Sequence, residues 1–341
     1  MTSPIPRLDA TPLFGAYSAA RAAADARLLE AARGTGFVLI DGVPPTVPSG
    51  RAERRRLLEV FALAPKVTRA LWRQKFDPSH PNVYRGWFPL QPGNLTSKEG
   101  IDMGADVAHG ASVVAAGDPL REATPLPPEA ALPGWRAAVA GYYRGMELLS
   151  RALMRSLARG LGLEEGHFDA AFERGLSTLR LLRYPVRTAE ELATCRDAGL
   201  WQSHRGERRY VTGAPHVDSG FLTVLAQDGV AGLQARHLDG TWLDVPPEDG
   251  TLAVNFGRVL ERWSCGRIRA TEHRVVGVGT LRHSIAYFHE ARADAWIAPL
   301  PGDAADAFVP FVFGDYLWST ITQYVEFRGM EALRRPTGPP R

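Results

Sequence analysis

Three residues that bind metals well stand in a pattern that can make one site. His216 and Asp218 lie two residues apart in Pro215-His216-Val217-Asp218-Ser219-Gly220, beside an apolar strand-like run. Residues i and i+2 of a strand point to one face. His273 lies in Ala270-Thr271-Glu272-His273-Arg274-Val275, a second strand-like segment that can return beside the first inside a barrel. Two imidazoles and one carboxylate on one face of an octahedron leave three adjacent positions open, which suits iron(II) and oxygen chemistry. Zinc binds the same donors but needs no keto acid. The chain has nine histidines, so the spacing alone is a weak signal. His80, His109, His167, His204, His237 and His289 read as surface or structural residues.

A keto-acid clamp would separate iron from zinc. The run Arg282-His283-Ser284-Ile285-Ala286-Tyr287-Phe288 again reads as a strand, with Arg282 and Ser284 on one face and His283 on the other. A guanidinium offers a planar fork to a carboxylate, and a neighbouring hydroxyl adds one bond, so the pair can fix the distal carboxylate of 2-oxoglutarate. An Arg facing a core is costly unless paired. The alternative is an edge strand on which Arg282 faces water.

The elements that must hold these groups follow from periodicity and punctuation. Residues 17–33 form an Ala- and Leu-rich helix stopped by Gly34, followed by a strand over 37–40 and a second helix over 51–63. Residues 77–100 are dense in Pro, Gly and Asn with Tyr84, Trp87 and Phe88 among them, a long ordered loop. A long helix is predicted over 128–163, with Leu148, Leu149, Leu153, Met154 and Leu157 on helical spacing. Leu179, Leu181 and Tyr184 belong to a strand ending at Pro185, followed by an Arg-rich, mobile insertion to about 209. From 211 to 289 short apolar runs separated by Gly, Pro and Asp read as a sandwich or jelly roll. Residues 311–330 read as a closing helix.

The predicted fold is mainly β with packed helices. It is one domain over 1–341, with a mostly helical part over 1–175, a jelly-roll core over 176–300, and a C-terminal helix and tail over 301–341. Tyr84, Arg85 and Phe88, with Trp87, Tyr316, Trp318 and Gln323 as further candidates, are expected to line a substrate pocket. Arg85 would suit an acidic molecule. Segments 77–100 and 185–209 are expected to form a movable cover over the metal.

Composition narrows the partners. Of 341 residues, 45% are hydrophobic and 23% charged, enough for a sizeable core. Forty basic against 37 acidic residues leave a net charge of +3, too small a surplus to argue for nucleic acid, and the basic run over 51–56 has no interleaved aromatics. Two cysteines, Cys195 and Cys265, make neither a disulfide framework nor a thiolate zinc site, so a reducing, cytoplasmic setting is expected. The first thirteen residues lack a leader's pattern and no apolar stretch reaches spanning length, so a soluble protein away from membranes is expected.

From 179 to 290 the sequence resembles the isopenicillin N synthase-like branch of the 2-oxoglutarate/iron(II) oxygenases. The resemblance rests on His216-Val217-Asp218, Phe221-Leu222-Thr223-Val224-Leu225-Ala226-Gln227-Asp228, Gly232-Leu233-Gln234, Trp263-Ser264-Cys265-Gly266, Glu272-His273-Arg274-Val275 and Arg282-His283-Ser284, in that order. Residues 34–40 and 98–102 agree more loosely. Leu182 stands where plant members place Asn, Asp41 where His is frequent, and Arg258 where Asp is common, which points to the bacterial members.

The resemblance implies a distorted double-stranded β-helix. It also implies that Tyr184 touches the keto acid and that the protein uses Fe(2+), 2-oxoglutarate and O2 to oxidise a small molecule. The keto acid would leave as succinate and CO2, and the substrate would be hydroxylated, desaturated or cyclised. Two alternatives stay open: an iron oxidase that works without a keto acid, as the family's namesake does, and a non-catalytic binding protein on the same barrel.

Overall fold

The computed structural model describes residues 5–91, 96–110, 117–195, 199–304, 306–324 and 326–338. Thirteen strands make two facing sheets. In chain order they are β1 (Arg7–Asp9), β2 (Phe37–Asp41), β3 (Gly86–Phe88), β4 (Glu99–Met103), β5 (Thr178–Tyr184), β6 (Trp201–His204), β7 (Glu207–His216), β8 (Leu222–Gln227), β9 (Leu233–Arg236), β10 (Trp242–Asp244), β11 (Leu252–Phe256), β12 (His273–Val276) and β13 (Arg282–His289). The large sheet runs β1-β2-β11-β8-β13-β5-β4-β3 and the small one β10-β9-β12-β7-β6. All pairs are antiparallel except β1 with β2. This is the expected jelly-roll core with packed helices.

Strand alternation gives the large sheet two different faces. Its outer residues, including Val38, Ile40, Leu179, Leu181, Val224, Val254, Ile285 and Tyr287, pack with the long helix Trp135–Gly160. That helix buries Val139, Tyr142, Tyr143, Met146, Leu149, Leu153 and Leu157, one stripe at helical spacing. Leu148, expected on that stripe, falls on the exposed side of the helix. The inner residues Phe37, Leu39, Phe88, Leu182, Tyr184 and Ala253 meet Leu233, Ala235 and Val275 of the small sheet. Leu153 is fully buried against the outer face, so Leu153→Ala is expected to lower unfolding free energy by about 2–5 kcal/mol. Urea unfolding followed by circular dichroism would measure the loss.

Several expectations need correction. The part over 1–175 supplies four strands of the large sheet as well as helices, because β2 pairs with β11 and β4 with β5. The helix expected over 51–63 is regular only for Arg51–Leu58 and tightens to a 3-10 turn over Glu59–Ala62. The closing helix spans only Phe313–Ile321, ending where the Thr322 hydroxyl turns back to the Trp318 carbonyl.

The two expected cover segments are largely built in. Segment 77–100 contains β3 and enters β4, while 185–209 contains the helix Ala189–Thr194, held by a Thr188–Glu191 capping box, and β6. Residues 92–95 and 196–198 of those segments lie outside the described residues. Among the described residues no helix is long and apolar enough to cross a membrane.

Candidate metal and carboxylate site

The pairing of β7 with β12 sets His216 opposite His273, with ring centroids 4.3 Å apart. Asp218 does not share the strand, as the spacing had implied; it lies two residues past the end of β7. Its position is fixed from the neighbouring turn instead. The Arg258 N–H donates to the Asp218 carbonyl at 2.8 Å, and Gly257 permits this approach because a Cβ there would lie 2.3 Å from the Gly220 carbonyl oxygen.

The carboxylate is divided between two tasks. Oδ2 accepts from Thr223 Oγ1 at 2.6 Å and Asn255 Nδ2 at 2.7 Å. Oδ1 is left 3.7 Å from His216 Nε2 and 3.6 Å from His273 Nε2. Each imidazole is held through its other nitrogen by a carbonyl two residues upstream, His216 Nδ1 by Ala214 at 2.8 Å and His273 Nδ1 by Thr271 at 3.1 Å. With Nδ1 donating to a carbonyl, each Nε2 keeps its lone pair for a ligand.

One donor atom from each of the three residues therefore lies within 4.8 Å of the others, and among the described residues this is the one such cluster of three or more. Burial in the cleft and repulsion from His273 push the His216 imidazole down to about 3, although 41% of its side chain remains open to the mouth. Loss of water alone would raise the Asp218 carboxyl. The two imidazoles and the Thr223 and Asn255 bonds outweigh it and hold the group below its ordinary value. A neutral imidazole and an ionised carboxylate are the forms that bind a metal.

Deeper along β13 lies a second unsatisfied group. Arg282 pairs with Tyr184 of β5, and Ser284 with Leu182 on one side and Gln227 on the other. Arg282 is 3% exposed, its guanidinium 4.9 Å from the centre of the Tyr184 ring. One terminal nitrogen donates to Gln227 Oε1 at 3.2 Å. The Nε and the other terminal nitrogen are buried without a partner, as is Ser284 Oγ. Buried donors of this kind are normally satisfied, and a fork with a hydroxyl beside it matches a carboxylate. His283 faces away, bonded to Asp228.

A cleft of about 330 Å³ opens beside His216 and Asp218. Tyr84, Phe221, Phe288, Leu317, Ile321 and Phe327 give it an apolar wall, with Lys98, Arg180, Glu290 and Glu326 as charged groups. Tyr84 is part of this wall. Arg85, expected there too, is absent from it, since its guanidinium is turned onto Thr178 Oγ1 and the Leu176 carbonyl. Phe88 lies on the inner face with Arg73 and Arg180 over its ring, outside the cleft. Trp87, Trp318 and Gln323 also lie outside it, while the Tyr316 hydroxyl donates to the carbonyl of Ser219 in the cleft wall at 3.2 Å. Sequence reasoning missed Glu290, Arg180 and the Asp102 carboxylate that binds Arg180 through two hydrogen bonds. Of these, only Asp102 stood in a matched segment.

The sequence profile of the 2OG-Fe(II) oxygenase superfamily matches residues 181–291. Isopenicillin N synthase of Streptomyces clavuligerus is 30% identical over 321 residues, 92% of this chain and 93% of that protein. The proline hydroxylase buaE of Petromyces alliaceus is 29% identical over 248 residues, 67% of this chain and 70% of the relative. A full-length Neurospora crassa protein solved in complex with alpha-KG superposes with a TM-score of 0.73 at 25% identity, covering 92% of this chain and 94% of that one.

Proposed function

Because the chain belongs to the 2OG-Fe(II) oxygenase superfamily, we propose that it uses Fe(2+), 2-oxoglutarate and O2, that His216, Asp218 and His273 hold the iron, and that Arg282 and Ser284, beside Tyr184, hold the keto acid. The donor set fits the metal: two imidazole lone pairs and one free carboxylate oxygen are the facial set of non-haem iron enzymes. The fork fits the keto acid. The observation that carries the reading is the enclosed Arg282–Ser284 pair with three polar atoms unpartnered, which a zinc site alone would not need.

Bound iron supplies the oxygen activation that no protein side chain can perform. The chain's own groups do the rest. Thr223 and Asn255 keep Asp218 Oδ1 turned inward, and the Ala214 and Thr271 carbonyls keep both rings in the Nε2-accepting form. Arg282 and Ser284 fix one end of the keto acid, so its other end has one direction to point. The apolar wall displaces water from around the substrate.

The substrate is a small molecule, as the cleft's size and the proline hydroxylase relative support. The reaction is read as hydroxylation with release of succinate and CO2. A product heavier by one oxygen, rather than lighter by two hydrogens, would separate it from desaturation. The unpaired Cys195 and Cys265 support a reducing, cytoplasmic location.

Anaerobic titration with Fe(II) and 2-oxoglutarate tests the whole reading. A charge-transfer band that needs both components is expected. Iron binding without the band would point to an oxidase independent of 2-oxoglutarate, and no binding of either would leave a passive barrel.

A further inference from the structure

One carboxyl in the cleft has no task in this chemistry. Glu290 follows β13 directly and lines the same wall as His216 and Asp218. It is 7% exposed, and its Oε2 is buried with no hydrogen-bond partner. The other enclosed acids near the site are engaged. Asp102 is bound by Arg73 and Arg180, Asp218 by Thr223 and Asn255, and Glu122 by the N–H groups of Val83, Tyr84 and Arg85. Among the described residues, the cation whose charge acts on Glu290 is Arg85, already directed at Thr178 and Leu176.

Space for this carboxyl is made by a glycine. A Cβ on Gly220 would lie 2.1 Å from Glu290 Oε1 and 2.5 Å from Oε2, so a larger residue there would evict it. A buried polar atom without a partner is destabilising, and a ligand that completes it gains what the empty cleft lacks.

We propose that Glu290 anchors the substrate, and that the substrate presents to it a neutral amide-type edge, an N–H beside a C=O, as in a lactam or cyclic imide. A carboxylic acid carries a donor and an acceptor side by side, so it meets that edge with two hydrogen bonds. A cationic amine would instead need the ionised form. Enclosed, with no guanidinium or ammonium hydrogen-bonded to it among the described residues, the carboxyl is more stable as the neutral acid than as a carboxylate. Phe288 and Phe221 in the wall suit a flat apolar body carrying that edge. The proposal rests on the oxygenase reading in one respect, that a molecule held here lies beside the iron donors.

The probes are 2-piperidone and piperidine, rings of one size that differ by the carbonyl. Each is titrated calorimetrically into metal-free wild-type protein, E290Q and E290L. Wild type is expected to bind the lactam, E290Q to keep its affinity within about threefold, and E290L to lose about tenfold or more. Piperidine should bind wild type at least about tenfold more weakly than the lactam.

Equal lactam affinity in E290L would overturn the anchor. So would no lactam binding by wild type. Preference for piperidine, lost in both variants, would overturn the substrate class in favour of a cationic amine. A purely structural role would appear as a lowered Tm in E290L, whereas removing an unpartnered buried acid should leave Tm unchanged or higher. Should E290L fold poorly, difference infrared spectra decide: a protonated-carboxyl band that shifts with lactam in wild type and is missing in E290Q supports the anchor, and an unshifted band sinks it. Binding of 2-oxoglutarate with Mn(II) is measured on the same wild-type sample. Its absence would strike the oxygenase reading while leaving the Glu290 result standing.

Discussion

Alanine at Asp218, His216 or His273 is expected to abolish iron-dependent succinate formation while the fold persists. Asp218 offers the metal only Oδ1, since Oδ2 is occupied, and no second cluster of three donors exists among the described residues. The losses in stability should be modest. Removing Asp218 leaves Thr223 and Asn255 without an acceptor, about 1–3 kcal/mol, and Asp218→Asn is the milder variant for the same question. Metal linkage gives an independent readout. Mn(II) at about a hundred times its Kd should stabilise the wild type by about 2.7 kcal/mol, and that increment should vanish in each variant. Thermal unfolding with and without Mn(II), alongside a succinate assay, reads both effects. A variant that keeps either one would remove its residue from the metal site.

Arg282→Lys should raise the concentration of 2-oxoglutarate needed for half-maximal rate by about ten- to a hundredfold, the worth of about 1.5–3 kcal/mol for a hydrogen bond to a charged group. An ammonium cannot make two parallel bonds, and at this depth little water replaces them. The maximal rate should change far less, because the anchor holds the keto acid equally before and during reaction. Initial rates over a range of 2-oxoglutarate separate the two quantities. An unchanged requirement would place the anchor elsewhere.

The parts of this molecule that could be read from its sequence are those where periodicity and burial coincide. In β13 the alternation Arg282, Ser284, Ala286 inward and Ile285, Tyr287 outward is visible in the residues themselves, and the structure follows it. The long helix shows its stripe for the same reason. That His216, Asp218 and His273 belong together was legible from the matched segments more than from strand spacing, because Asp218 lies past the end of β7; what pins Asp218 was not legible, since Thr223, Asn255 and the Arg258 N–H come from other segments. Arg85 was misplaced because its partners, Thr178 and Leu176, are remote in sequence. Strands β1 and β3 have three residues each, too short to display a period. Glu290 belongs to no motif, and only the missing partner of its Oε2 draws notice.

The pairing of β2 with β11 sets when the molecule can finish folding. Phe37 lies opposite Asn255, so the first inner strand leaves the ribosome long before its neighbour exists. At usual elongation rates that interval is roughly 10–40 s. Until then Phe37 and Leu39 have only part of their cluster, including Ile5, Phe88, Leu182 and Tyr184, to pack against, a partly covered state prone to association with other chains and suited to chaperone capture. His273 emerges later still. The three donors can therefore meet only after His273 has left the ribosome, and metal uptake follows the pairing of β7 with β12 rather than guiding it.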